Sequence, residues 1–179
     1  MSVIFLDFDG PIFPEKIHLF PQNQGKMTKD TCLKLNLHPY VSYWYADPFA
    51  IAILNELKKV KPYQLVISSS WAEDRLHDKS QIESLFKING LNYDFHLDWR
   101  TPRNPELVRH EQIEQWLNNH PEVKNYFIFD DTKSAPDLFF DKTYKTTKIL
   151  KKNVYLAHEK DGYNYEQFEE MKFYMDLWK

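Results

Sequence analysis

The sequence predicts a three-layer α/β fold, a parallel sheet with helices on both faces, and three observations lead there. Short β-rich apolar runs alternate with longer stretches of helical period. The runs are apolar at consecutive positions, as strands buried on both faces are. Carboxylates directly follow two of these runs, where the carboxyl ends of parallel strands form sites.

The elements follow in order. Val3–Leu6 is the first strand. Asp47-Pro48, an N-cap followed by a first-turn proline, opens a helix over about 49–60. Gln64–Ser68 is the second strand, 81–89 a helix and Tyr93–Leu97 the third strand. Asn104-Pro105 repeats the capping device and predicts a helix over 105–119, before a fourth strand at Tyr126–Phe129. A helix at 134–141, a strand at Asn153–Leu156 and a helix near 163–176 complete the series. In the last helix Phe168, Met171, Met175 and Trp178 fall at helical spacing, a stripe that closes the core.

The chain of 179 residues, 42% hydrophobic and 16% aromatic, has the size for one core. A single domain over 1–179 is expected, with a small insertion or flap at about 13–47. Cys32 is the only cysteine, so an intrachain disulfide and a thiolate zinc cluster are excluded. Seven histidines include no metalloprotease-like spacing. A formal charge of -3 rules out a uniformly basic, nucleic-acid-coating surface. The opening Met-Ser-Val-Ile-Phe-Leu reaches Asp7 and Asp9 too soon for a signal peptide, and no apolar run nears the ~20 residues of a membrane helix. A cytoplasmic location away from membranes is the expectation.

Asp-x-Asp pairs arise by chance; placement gives this one meaning. Asp7 and Asp9 end the first strand just before Gly10, which permits a sharp turn. Asp130-Asp131 ends the fourth strand in the same way. Carboxylates gathered at one sheet edge repel each other, and oxygen ligands point to a hard cation such as Mg²⁺ as the neutralising partner. Beside such an ion, an aspartate can attack phosphorus as a nucleophile. The neighbouring Asp9, in a like-charge cluster that raises one carboxyl, suits the general acid and base.

These residues resemble the haloacid dehalogenase-like (HAD) superfamily, whose four motifs are matched in order. Val3 to Gly10, with Asp-Phe-Asp-Gly, is similar to the first. The resemblance implies Asp7 as nucleophile, and Asp9 as acid/base that also lends its backbone carbonyl to Mg²⁺. Leu65-Val66-Ile67-Ser68 matches the second motif, a hydroxyl that holds a phosphoryl oxygen; Ser69 and Ser70 leave the choice of serine open, and Ser69 and Gly10 are the further substrate-binding candidates. For the third motif, a cation that steadies nucleophile and phosphate, Arg109 is the choice because Arg109, Ile113 and Leu117 share a helix face. Arg100 and Arg103 compete with it. Asp130-Asp131 is similar to the fourth motif, so the implied metal set is Asp7, Asp9, Asp130 and Asp131. The fold implied is a Rossmann-like, HAD-like sheet with at most a small cap.

A narrower resemblance joins Ser68-Ser69-Ser70-Trp71, Thr101-Pro102, the segment from Arg109 to Leu117 and Phe127-Ile128-Phe129-Asp130-Asp131 to the HAD domain of Swiss army knife RNA-repair proteins. It implies a Mg²⁺-dependent phosphomonoesterase that forms an aspartyl-phosphate and removes terminal phosphates from nucleic acid or nucleotides. A phosphoprotein phosphatase with an open site, and a binding module that has lost turnover, are the alternatives. Pro11 departs from the family's usual residue after the glycine and removes an amide near the phosphate. The aromatic stretch His38–Tyr45 reads either as a base-stacking surface or as a mini-core under a flap. Lys142, Lys145, Lys148, Lys151 and Lys152 read as a solvated face or a phosphate-backbone grip.

Overall fold

A computed structural model describes residues 1–23, 45–74, 78–102, 104, 106–131 and 149–178. The expected helix at 134–141, Cys32, Arg103, most of the aromatic stretch and Lys142, Lys145 and Lys148 lie outside these residues.

Five parallel strands, β1 (Ser2–Leu6), β2 (Gln64–Ile67), β3 (Phe95–Arg100), β4 (Asn125–Asp131) and β5 (Val154–Ala157), form one sheet in the order β3-β2-β1-β4-β5. Every residue of β1 is buried, so the strand is apolar at consecutive positions because both faces are covered. Ile4 and Leu6 face one core with Leu65, Ile67, Phe127 and Phe129, while Val3 and Phe5 face a second with Val66 and Ile128. That alternation is the period of two that a pleated strand imposes.

The helices are α1 (Pro48–Val60), the short α2 (Trp71–Asp74), α3 (Lys79–Ile88), α4 (Arg109–Asn119) and α5 (Tyr165–Asp176). Buried residues of α1, α3 and α5 pack the first core, and Ile113 and Trp116 of α4 pack the second, giving the three layers. Asp47 caps α1 by accepting the Phe49 amide at 3.1 Å, as Asp47-Pro48 predicts. Asn164 and Gln167 form a reciprocal capping box on α5. Met171 and Met175 are fully buried, each contributing roughly 1.5–3 kcal/mol by apolar burial.

Two boundaries move most. The helix expected from 105 begins at Arg109: Asn104 accepts the Glu106 amide at 3.0 Å in a turn of its own, and Glu111 Oε2 instead takes the Val108 amide at 3.0 Å. A capping side chain competes between turn and helix, and here the turn wins. The third strand runs over Phe95–Arg100 rather than Tyr93–Leu97, with a register break against β2.

The described base of the insertion is tied down. Glu15 and Lys16 amides donate to the Glu159 and Lys160 carbonyls at 2.8 and 2.9 Å, and Lys16 pairs with the buried Asp47 at 2.6 Å. No described helix is long and apolar enough to cross a membrane.

Candidate active site

Register brings the polar residues level. Leu6 pairs with Ile67 on one side and Phe129 on the other, so Asp7, Ser68 and Asp130 emerge together at the carboxyl edge of the sheet. The Asp7 amide donates to Phe129 at 2.8 Å and the Ser68 amide to Leu6 at 2.9 Å. The backbone ladder thus continues into the site and fixes it from rigid strands.

Carboxylate oxygens of Asp7, Asp130 and Asp131, all three buried, lie within 4.8 Å of one another. Arg109, the first residue of α4, sets Nη1 3.2 Å from Asp7 Oδ1 and 3.3 Å from Asp130 Oδ2, and also donates to the Ser68 carbonyl. Burial raises the carboxyls of Asp7 and Asp130 above the ordinary range. Arg109 opposes the shift in both; Ser69 opposes it in Asp7 by a hydrogen bond, and the Asp7 charge adds to it in Asp130. With all three carboxylates ionised, as a bound cation would hold them, one guanidinium would leave two negative charges, the complement of a divalent cation. Oxygen-only donors with that charge fit a hard cation such as Mg²⁺.

The serines divide. Ser69 Oγ accepts the Trp71 amide at 3.3 Å and hydrogen-bonds to Asp7, holding the carboxylate in place. Ser68 Oγ is buried and has no hydrogen-bond partner among the described residues. A buried hydroxyl without a partner costs about 1–3 kcal/mol, which a phosphoryl oxygen would recover. Ser70 is exposed.

Gly10 explains the turn after Asp9. Its φ is +88°, and a Cβ there would stand 2.5 Å from Asp131 Cβ; only glycine allows β1's turn to approach β4 so closely. The Gly10 amide donates to Phe13 O at 3.3 Å.

The Asp9 side chain stands apart from the buried group. Asp9 is exposed, lies outside the three-carboxylate group and accepts the Trp71 indole N–H at 2.9 Å. Trp71 is itself buried and stacked on Phe13, with centroids 5.0 Å apart and planes at 6°. A side chain locked by packing aims its one donor at Asp9. Sequence reading gave Trp71 no role, although its place right after the serine run was a signal. Tyr163, buried against Phe129, donates to the Tyr155 carbonyl at 3.1 Å. Burial, then the charges of Asp130, Asp7 and Asp131, hold its phenol protonated. Of the competing arginines, Arg100 lies over the Trp99 ring at 5.2 Å, and Arg103 is outside the described residues.

A family model, HAD domain in Swiss Army Knife RNA repair proteins, matches residues 3–150. The chain belongs to that family. No curated protein and no solved structure matches it. Membership accounts for the sheet order and the acidic strand ends together, and makes the HAD domain a hydrolase- or phosphatase-like protein in general character. Its buried acidic group is compatible with the divalent metal that HAD domains typically use.

Proposed function

We propose that this HAD domain is a Mg²⁺-dependent phosphomonoesterase that removes terminal phosphates from nucleic-acid ends or nucleotides. The observation that supports it most is the buried Asp7 carboxylate, held between Arg109 and Ser69 beside a buried Ser68 hydroxyl that has no partner in the described protein.

In this reading an Asp7 oxygen attacks phosphorus in line, the bond from phosphorus to the leaving oxygen breaks, and Asp9 gives its proton to that oxygen. Water then attacks the aspartyl-phosphate, its proton passes to Asp9, and the bond between phosphorus and Asp7 breaks to release phosphate. Arg109 and the Ser68 hydroxyl stabilise charge on the phosphoryl oxygens. Asp7, Asp130 and Asp131 would hold Mg²⁺ with the Asp9 carbonyl, and the ion would supply further charge stabilisation when bound. Trp71 holds the Asp9 carboxylate in a single orientation.

The test is hydrolysis of an aryl phosphate with Mg²⁺, with EDTA, and by Asp7→Asn. Both EDTA and the substitution are expected to abolish turnover. Activity surviving Asp7→Asn refutes the nucleophile, and an inactive wild type with every oligonucleotide, nucleotide and phosphopeptide offered leaves the binding-module alternative.

A further inference from the structure

Two histidines far apart in the chain meet at the edge of the sheet opposite the acidic centre. His96, the second residue of β3, is buried, and His120 directly follows α4, which starts at Arg109 in the site and runs back along the sheet. The 11 residues of α4, at ~1.5 Å each, set its two ends about 16 Å apart. The two imidazole rings have their centres 4.9 Å apart. One ligand atom from each of His96, His120 and Glu122 lies within 4.8 Å of the others. No spacing along the chain announces this group, because a strand and the loop after a helix supply it from different layers.

The contacts of His120 fix what it can bind. Its Nδ1 lies 2.7 Å from the Trp116 carbonyl, which only accepts, so Nδ1 carries a proton and donates it. Stacking on the Trp116 ring at 3.8 Å holds that orientation. In the neutral ring Nε2 is then a bare lone pair, and it faces the Asp98 Oδ2 atom, another acceptor, at 2.9 Å. Two lone pairs so close require a positive charge between them, either a second proton on the ring or a metal ion. The gap is near the ~3.3 Å that separates two ligands of a tetrahedral ion with bonds of ~2.0–2.1 Å. A ring N–H donated to a backbone carbonyl is also the usual support of a metal-bound histidine. Asp98 and Glu122 are exposed, so their carboxylates can turn towards an ion. His96 Nδ1 accepts the Asp98 amide at 3.0 Å, and ligation by His96 exchanges that one hydrogen bond for the ion.

We propose that His96, His120, Glu122 and Asp98 form a second metal site, for a divalent cation of the zinc class, which staples the edge strand β3 to the end of α4. Two imidazoles with two carboxylates suit Zn²⁺, whereas the oxygen-only group of Asp7, Asp130 and Asp131 suits Mg²⁺. The two carboxylates also balance a divalent charge. The two groups share no residue, so the second site stands whether or not the phosphatase reading does. Its role is structural: the ion ties the end of α4 to a sheet edge that has strand pairing on one side only.

The experiment uses the whole chain, stripped with EDTA, returned to excess Mg²⁺ and titrated with Co²⁺, which replaces Zn²⁺ and absorbs visible light strongly when tetrahedral. One Co²⁺ per chain is expected to give that absorption, Zn²⁺ to bleach it, and Zn²⁺ alone to raise the melting temperature. His120→Gln should weaken cobalt binding about a hundredfold and the exposed Glu122→Gln about tenfold, with circular dichroism checking the fold of each. Should His120→Gln not fold, Glu122→Gln decides. Asp7→Asn should leave the cobalt absorption in place. A wild type without it, in which a proton alone joins His120 to Asp98, overturns the proposal. So does cobalt binding that Glu122→Gln leaves unchanged, or that Asp7→Asn abolishes.

Discussion

Replacing Arg109 by methionine tests the electrostatic core of the site without removing its bulk. In the folded protein Arg109 touches Asp7 and Asp130, whose side chains are 4% and 1% exposed, while its own is 19% exposed. Removing one partner of a buried pair costs about 3–5 kcal/mol because the other charges remain buried. The partial exposure of the guanidinium puts the expectation near the lower end, about 3 kcal/mol, or a melting temperature lower by roughly 6–12 °C for a domain of this size. The sign with pH is fixed by the raised carboxyls of Asp7 and Asp130. A carboxyl raised on folding binds more protons folded than unfolded, so its cost is absent below its unfolded value near 4 and grows as pH rises towards its folded value. Arg109 opposes that cost only where the carboxyls ionise, so the difference between wild type and Arg109→Met should be small at pH 5 and grow as pH rises past about 8, to which Asp130 is raised. Thermal melts in EDTA at pH 5 and pH 9 measure it. Mg²⁺ should restore stability at pH 9, by about 2.7 kcal/mol at a hundred times its dissociation constant. A variant as stable as wild type at pH 9, or one equally destabilised at both pH values, refutes the reasoning.

Ser68→Ala should reduce kcat/KM for an aryl phosphate by about tenfold or more while leaving the melting temperature unchanged or raised, since it deletes a buried hydroxyl that has no described partner; a lower melting temperature would show the hydroxyl to be structural. Gly10→Ala forces a Cβ to 2.5 Å from Asp131 at a φ of +88°, and a loss of at least about 1–3 kcal/mol in urea unfolding is expected. Trp71→Phe keeps a ring against Phe13 but removes the donor to Asp9. The resulting slowing should be greater for alkyl than for nitrophenyl phosphates, because only a poor leaving group needs Asp9's proton; equal slowing on both would separate Trp71 from acid catalysis.

The strands and most helices were readable because their causes are local or periodic. Val3–Leu6 is apolar at every position, Asp47-Pro48 starts a helix, and Met171 and Met175 recur at helical spacing; each signal lies within a few residues of the structure it specifies. The start of α4 was misplaced because Asn104 can cap a turn as readily as a helix. In the site, the strand-end acids were legible through chain order, and Arg109 through the face it shares with Ile113 and Leu117.

The sequence alone determined that carboxylates end the first and fourth strands, since strand period and turn residues are properties of neighbouring positions. Tertiary structure decided the rest. That the Asp9 side chain stands outside the buried group of Asp7, Asp130 and Asp131, that Ser69 supports Asp7 while Ser68 lacks a partner among the described residues, and that Trp71 reaches back to Asp9 depend on contacts between distant elements. The register break of β3 against β2 likewise lies where Trp116 and His120, at the end of α4, meet Asp98. Such contacts are set by packing two faces of one sheet at once, which no window along the chain contains.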